Sequence, residues 1–173
     1  MKYTCSIETP LGTMTAAAEN GALVGLWFVA QKHYPSATAN WACDPDHPVF
    51  AALRLRLSRY FSGNNAEDKQ DEMQLAPQGS PFQMAVWAAL QRIPYGKTVT
   101  YGEIAKEMAR AAGLCTMSAQ AVGGAVGHNP ISILIPCHRV VGCNKKLTGY
   151  AGGLDKKEAL LRLEGVQLAG ICP

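Results

Sequence analysis

No stretch of this 173-residue chain is apolar for long enough to cross a bilayer. The longest such run, Gly21 to Ala30, falls far short of the ~20 residues a spanning helix needs. The start, Met1-Lys2-Tyr3-Thr4-Cys5-Ser6, lacks the apolar centre of a secretory signal. Metal and disulfide signatures are missing too. The six cysteines (Cys5, Cys43, Cys115, Cys137, Cys143 and Cys172) form no C-x-x-C pair and are irregularly spaced. Neither a zinc site nor a disulfide framework is expected from them. Charge is sparse: 17% of residues are charged and the net charge is +3, which permits a nucleic-acid partner without demanding one. What is abundant is apolar side chain, 48% of the chain, enough for a real core and too much for a disordered segment. The expectation is a cytoplasmic protein with reduced thiols, no membrane contact, no metal and no dimerisation segment, hence a monomer.

The first third reads as a small antiparallel sheet followed by a helix. Residues 3–8 and 13–18 are strand-like around a Pro10-Leu11-Gly12 turn. Asn20-Gly21 is a two-residue hairpin signal, because both residues tolerate positive φ. Leu23, Val24, Leu26, Trp27, Phe28 and Val29 then read as a buried strand. Residues 31–47 read as a connection, with His33 and His47 as surface loop residues. From Pro48, the apolar spacing Val49, Leu53, Leu57, Phe61 predicts one face of a helix stopped at Ser62-Gly63-Asn64. Arg54, Arg56 and Arg59 lie mostly off that face and are read as its solvated side. The polar, turn-rich stretch 64–80, with Asn64-Asn65 and Pro77-Gln78-Gly79, places a domain boundary, giving domains 1–76 and 77–173.

The second half is written in helix caps. Ser80-Pro81-Phe82-Gln83 is a capping box with proline at the first helical position, followed by the stripe Phe82, Val86, Leu90, Ile93 and a stop at Pro94-Tyr95-Gly96. Thr100-Tyr101-Gly102-Glu103 is a second box, with Ile104, Ala105 and Met108 inward. Ser118 caps a third helix, Ala119 to Gly127. Two short helices about a glycine-containing turn read as a helix-turn-helix. Gly123-Gly124 inside the third helix costs about 1 kcal/mol per glycine relative to alanine. Either close helix packing or close approach to a nucleic-acid backbone would account for it. Asn129-Pro130 ends this helix. Ile131 to Val141 reads as a buried strand or extended loop, and Asn144 to Gly153 as a mobile loop. Asp155-Lys156-Lys157-Glu158 reads as a third capping box, opening a last helix packed by Leu160, Leu161 and Leu163 and closed by Gly165.

Within that half stands Ile133-Leu134-Ile135-Pro136-Cys137-His138-Arg139-Val140-Val141. A thiolate, not a thiol, is the nucleophile, and a free thiol has a pKa of about 8.5, so a reactive cysteine needs a base or a positive neighbour. His138 and Arg139 are adjacent. Taken alone, this stretch is equally a buried strand with a structural cysteine. Three further matches change its meaning: Asn129-Pro130 eight residues before the cysteine, Gly149-Tyr150-Ala151-Gly152-Gly153, and Glu164-Gly165. With Pro136-Cys137-His138-Arg139-Val140 they resemble the signature of the O6-alkylguanine-DNA alkyltransferases, from about Ser80 to Gly165. Over the first 75 residues the resemblance is limited to the Thr9-Pro10-Leu11-Gly12 start and the general layout.

The resemblance implies an α/β (α+β) chain: a small ribonuclease-H-like α/β N-terminal domain and a mainly helical, winged helix-turn-helix C-terminal domain. It implies repair of double-stranded DNA from the minor groove. O6-alkylguanine is flipped out and its alkyl group moves irreversibly to Cys137, once per molecule and without a cofactor, with O4-alkylthymine as a further substrate. Flipping is required because the alkyl group is out of reach within the stack. By resemblance Cys137 is the acceptor, His138 the base acting through a water, Glu164 the carboxylate that holds it, and Asn129 the hinge. This is a nucleophile, base and orienter arrangement. Tyr101 would donate to guanine N3, Tyr150 would wall the pocket, the Ala151 N–H would meet O6, the Val140 carbonyl would accept from the exocyclic amine, and Lys157 would lie near the cysteine. Ser118, Ala119, Gln120, Ala121 and Gly123 would face DNA. Where the family usually has an arginine that fills the flipped base's place, this chain has Gln120, which loses the cation–π part of that contact. The rival readings are a non-catalytic alkyl-lesion-binding relative, a Cys-His hydrolase and a helix-turn-helix transcription regulator. Retention of Cys137 disfavours the first. The second needs an oxyanion hole that the sequence does not display. The third needs a dimerisation segment.

Overall fold

The structure, a computed structural model, describes residues 1–36, 40–63 and 73–167. Asn64, Asn65 and Cys172 lie outside the described residues, as do residues 37–39 of the 31–47 connection. Contacts divide the chain into two units, one of Met1–Gln78 with Pro130–Ser132, the other of Gly79–Asn129 with the residues from Ile133 on.

In the first unit, strands β1 (Lys2–Ile7), β2 (Met14–Glu19) and β3 (Ala22–Phe28) form an antiparallel meander. Asn20 and Gly21 have φ of 51° and 78°, the left-handed pair that a tight hairpin between right-twisted strands requires. Two additions come from non-local pairing that no local pattern announces. The two-residue strand β4 (Ala42–Cys43), inside the predicted connection, pairs parallel to β1, giving the order β3-β2-β1-β4. Leu75 bridges Leu23, with backbone bonds Leu23 N to Gln74 O and Ala76 N to Leu23 O. Helix α1 (Pro48–Phe61) buries Val49, Phe50, Leu53, Leu57 and Tyr60, while Phe61 is only half-buried. His47 is not a loop residue. Its ring accepts from Val49 N at 3.3 Å as the N-cap and packs between Tyr3 and Phe50. The core is apolar and tight: the Trp27 indole lies across Gly25, where a Cβ would come within 1.8 Å of it.

The second unit contains α2 (Pro81–Leu90), α3 (Tyr101–Ala111), α4 (Ala119–Gly127) and α5 (Leu154–Leu163), with β5 (Val99–Thr100) parallel to β6 (Val140–Val141). The Ser80/Gln83 and Thr100/Glu103 capping boxes form in full, and Ser118 Oγ accepts from Ala121 N. The α2 core includes Trp87, whose indole N–H donates to Ala125 O at 2.9 Å and ties α2 to α4. Phe82 is half-buried. Helix α5 departs from expectation. Its N-cap is Gly153, with no side-chain cap, so Asp155 does not open a capping box, and Leu163 is half-buried. Among the described residues no helix is long and apolar enough to cross a membrane.

Candidate active site

The segment entering Cys137 is not a strand. Pro136 has φ −80° and ψ 63°, and Cys137 N donates across it to Ile135 O at 2.8 Å, an inverse γ-turn for which the proline ring sets the φ. This turn feeds a 3-10 turn over Cys137–Arg139 that runs into β6. The tight turn lets the successive side chains of His138 and Arg139 reach one carboxylate, Glu164, whereas successive side chains of an extended segment point to opposite faces. Four residues upstream, Ile133 is buried with φ 70°, a left-handed conformation that costs a β-branched residue on the order of 1–3 kcal/mol.

Asn129, at the end of α4, reaches this turn. Its Nδ2 donates to Ile135 O at 2.8 Å and to Cys137 Sγ at 3.1 Å. The thiol is buried, and burial raises its pKa. The Asn129 amide, the Lys157 charge and the N–H groups of Cys137 and His138 work in the opposite direction. The resting group is therefore a thiol surrounded by donors that favour its anion.

His138 is completely buried and its Nε2 lies 2.7 Å from Glu164 Oε1. Burial holds the imidazole below its usual pKa, against the opposing pull of Glu164. Glu164 closes α5. Burial alone raises its carboxyl, but the His138 hydrogen bond and the Arg139 guanidinium outweigh it and hold the group at about 2. An ionised carboxylate only accepts, so His138 Nε2 carries the donated proton and Nδ1 carries the basic lone pair. Arg139 adds a fork: Nε to Glu164 Oε2 at 2.9 Å and Nη2 to Oε1 at 3.1 Å. Its Nη1 donates to Ile93 O, and its guanidinium stands 5.7 Å from the Tyr95 ring. Gly96 N also donates to Glu164 Oε2 at 3.0 Å. Gly96 has φ 71°, and a Cβ there would lie 2.9 Å from Glu164 O, so the position needs glycine.

Lys157, completely buried in the first turns of α5, donates Nζ to the carbonyls of Val140, Thr148 and Gly149. Burial lowers its pKa to about 8, with the Cys137 charge pulling the other way. The Tyr101 hydroxyl donates to Thr148 O at 3.2 Å. The stretch read as a mobile loop is thus tied down at Thr148 and Gly149 from two helices. The Val140 carbonyl already accepts from Lys157, and its second lone pair remains for another donor. Tyr101 has one hydroxyl proton, so a contact to guanine N3 would replace its bond to Thr148. Tyr150 and Ala151, further along the same loop, are half-buried.

Ser118, Ala119, Gln120 and Ala121 form an exposed face at the start of α4, and Gly123 is half-buried. A Cβ on Gly123 would meet only the Tyr101 ring, at 3.7 Å, and one on Gly124 would meet nothing within 4 Å. Helix packing inside the protein therefore does not require either glycine. Among the described residues no group of three His, Cys, Asp or Glu side chains could hold a metal ion.

The chain is similar to known proteins in sequence and in fold. The family model of the 6-O-methylguanine DNA methyltransferase DNA-binding domain matches residues 81–166. A methylated-DNA–protein-cysteine methyltransferase of Mycolicibacterium paratuberculosis is 46% identical over 159 residues, covering 92% of this chain and 90% of the relative. The chain belongs to the methylated-DNA–protein-cysteine methyltransferase family. The crystal structure of the Mycobacterium tuberculosis O6-methylguanine methyltransferase superposes on this family member with a TM-score of 0.80 at 41% identity, covering 95% of this chain and 93% of that one. The same methyltransferase in complex with DNA gives 0.79 at 40% identity, covering 94% and 92%.

Within the family signature, then, the structure draws Cys137, His138, Glu164, Asn129, Lys157 and the Val140 carbonyl together. Sequence reasoning missed Arg139 as a partner of Glu164, Gly96 as a backbone donor to it, and Thr148 as the anchor of the loop. Arg139 was visible only as a charge next to Cys137, and Pro94-Tyr95-Gly96 only as a helix stop.

Proposed function

We propose that this protein repairs double-stranded DNA by direct reversal, acting as a cytoplasmic monomer from the minor groove. O6-alkylguanine, and by resemblance O4-alkylthymine, is the substrate, flipped out of the stack. The observation that carries the reading is the buried Asn129–Cys137 and His138–Glu164–Arg139 constellation, which supplies an acceptor, a base and a fixed orienting anion. Cys137 gives its proton through a water to His138 Nδ1 while its sulfur forms a bond to the alkyl carbon. The carbon–O6 bond breaks, and guanine leaves as an anion that takes up a proton. The thioether is stable, so each molecule acts once, and no cofactor enters the balance. Glu164 holds the imidazole in the required tautomer and stabilises its charged form. Arg139 keeps Glu164 ionised and oriented. Lys157 fixes the loop that leads to Tyr150 and Ala151, which would wall the pocket and meet O6, while Tyr101 would reach guanine N3. Ser118, Ala119, Gln120, Ala121 and Gly123 would lie against DNA. We also read the chain as two domains parting at residues 76 and 77, supported by the change of contact unit after Gln78.

Incubation with a duplex containing one O6-methylguanine tests this. Nucleoside analysis is expected to show one guanine restored per protein molecule and then no more. Continued turnover would favour a hydrolase, and lesion binding without restoration would favour the non-catalytic relative.

A further inference from the structure

The face of α3 that carries no site residue has an unabsorbed feature. A groove of about 620 Å³ is lined by Ala105, Lys106, Ala109, Arg110, Leu114 and Ala119 among others, and it ends at the exposed start of α4. Its lining contains two cations and no carboxylate. Lys106 and Arg110 are one helical turn apart, so their side chains share a face. The carboxylates nearest them in sequence are already engaged: Glu103 closes the capping box with Thr100, and Glu107 pairs with Arg92. Lys106 is a minor contributor to the lowered pKa of Glu103, behind its Thr100 bonds. Among the described residues neither Lys106 nor Arg110 forms an ion pair with another side chain. The floor between them is apolar and Leu114 is 54% exposed, a large aliphatic group on an unpartnered surface.

We infer that this groove seats one strand of the duplex backbone beside the recognition helix, with Lys106 and Arg110 each contacting a phosphate and Leu114 lying against deoxyribose. The inference rests on DNA being the substrate. Three observations select the backbone over a protein partner or a small ligand: a positive pair with no ion-pair contact among the described residues, the absence of an acidic lining residue, and continuity of the groove with Ala119 on the face assigned to DNA. Phosphate contacts carry no sequence information but set register and supply salt-dependent affinity. Two such contacts would make up part of the attraction lost with an uncharged Gln120.

The test is the salt dependence of binding to a short unmodified duplex by the full-length protein. For each phosphate contact removed, the slope of log affinity against log salt is expected to fall by about 0.9. Lys106→Gln and Arg110→Gln should each reduce the slope by about 1, and the double variant by about 2, with affinity about tenfold or more weaker near 0.1 M salt. Lys32→Gln, at an exposed position of the other unit, controls for net charge and should leave the slope unchanged. An unchanged slope in the double variant, or an equal fall in Lys32→Gln, overturns the groove assignment. Failure of the unsubstituted protein to bind duplex at all overturns the DNA reading instead, so the two failures are distinguishable. Both positions are exposed, so neither substitution opens a cavity in the core, and the swap Lys106→Arg with Arg110→Lys, which keeps both charges, should retain the slope.

Discussion

The two units bury different kinds of side chain. Among the described residues, the first unit closes over aliphatic and aromatic groups, and its buried polar side chains, Gln31 and Ser132, are uncharged. The second unit is also apolar in bulk, yet it buries His138, Lys157 and Glu164 together with Asn129 and Cys137. Removing an ion from water costs several kcal/mol even after relaxation, and a well-packed apolar group of the same size usually serves stability as well or better. The first unit follows that economy. The second departs from it around Cys137, where Asn129 bonds the sulfur, Glu164 holds the neighbouring His138, and the Lys157 charge favours the thiolate. Glu164 accepts from His138, Arg139 and Gly96, so its charge is compensated, and Lys157 donates to three carbonyls. Buried ions grouped around a nucleophile mark where the chain trades stability for chemistry.

The contrast is broken most severely by neutralising its centre. Glu164→Gln leaves Arg139 and His138 without their anion. Single-turnover transfer from an O6-methylguanine duplex should slow by about 10²–10⁴-fold, the range for loss of general-base support, and denaturant unfolding should show about 3 kcal/mol less stability. The counterpart in the first unit, Leu53→Ala in α1, should cost a similar 2–5 kcal/mol by leaving a cavity while the folded protein transfers at its normal rate. Equal effects of both variants on the rate would erase the distinction.

Acid sharpens the same comparison. The Glu164 carboxyl titrates at about 2 when folded and near 4.5 when unfolded. Its contribution is present above pH ~4.5 and is lost as pH falls towards 2, amounting to about 3 kcal/mol over that window. Unfolding free energies of the unsubstituted protein and Glu164→Gln should converge across that interval and run parallel above it.

Smaller effects belong to the exposed face of α4. Gln120→Arg restores a cation at the position implied to fill the flipped base's space. It should tighten binding to the lesion duplex by about fivefold, on the order of 1 kcal/mol, in a fluorescence titration. No change in affinity would remove Gln120 from the interface. Gly124→Ala should raise the stability of the free protein by about 0.5–1 kcal/mol, because a Cβ there meets nothing and the helix gains propensity. If α4 closes on a DNA backbone, the same methyl should weaken duplex binding. A stabilised variant with unaltered binding would make Gly124 incidental.

What the sequence discloses follows the range of the interaction. The caps at Ser80, Thr100 and Ser118 and the Asn20-Gly21 hairpin are settled by residues three or fewer positions apart, and they form as read. Strand β4, the Leu23–Leu75 bridge and the β5–β6 pair depend on partners 39 to 52 residues away, beyond any local pattern. Asp155 had the spacing of a cap, but the chain enters α5 through Gly153 at φ 100°, and no side-chain cap forms. At the site, Cys137, His138, Asn129 and Glu164 were legible only as a joint spacing. Taken singly, Glu164 looks like a solvated helix-end charge and Lys157 like a surface lysine. Their burial follows from Arg139 and from the carbonyls of Val140, Thr148 and Gly149, contacts that exist only once the fold has closed.

The central claim is that the buried cluster serves a single irreversible transfer to one sulfur. The most direct measurement is intact and peptide mass spectrometry after mixing the protein with an O6-methylguanine duplex, run beside Cys137→Ser. The account predicts one added methyl per molecule, confined to the peptide containing Cys137 and absent from the serine variant, which still binds the duplex. A methyl on another residue, or none on a protein that binds the lesion, would contradict it.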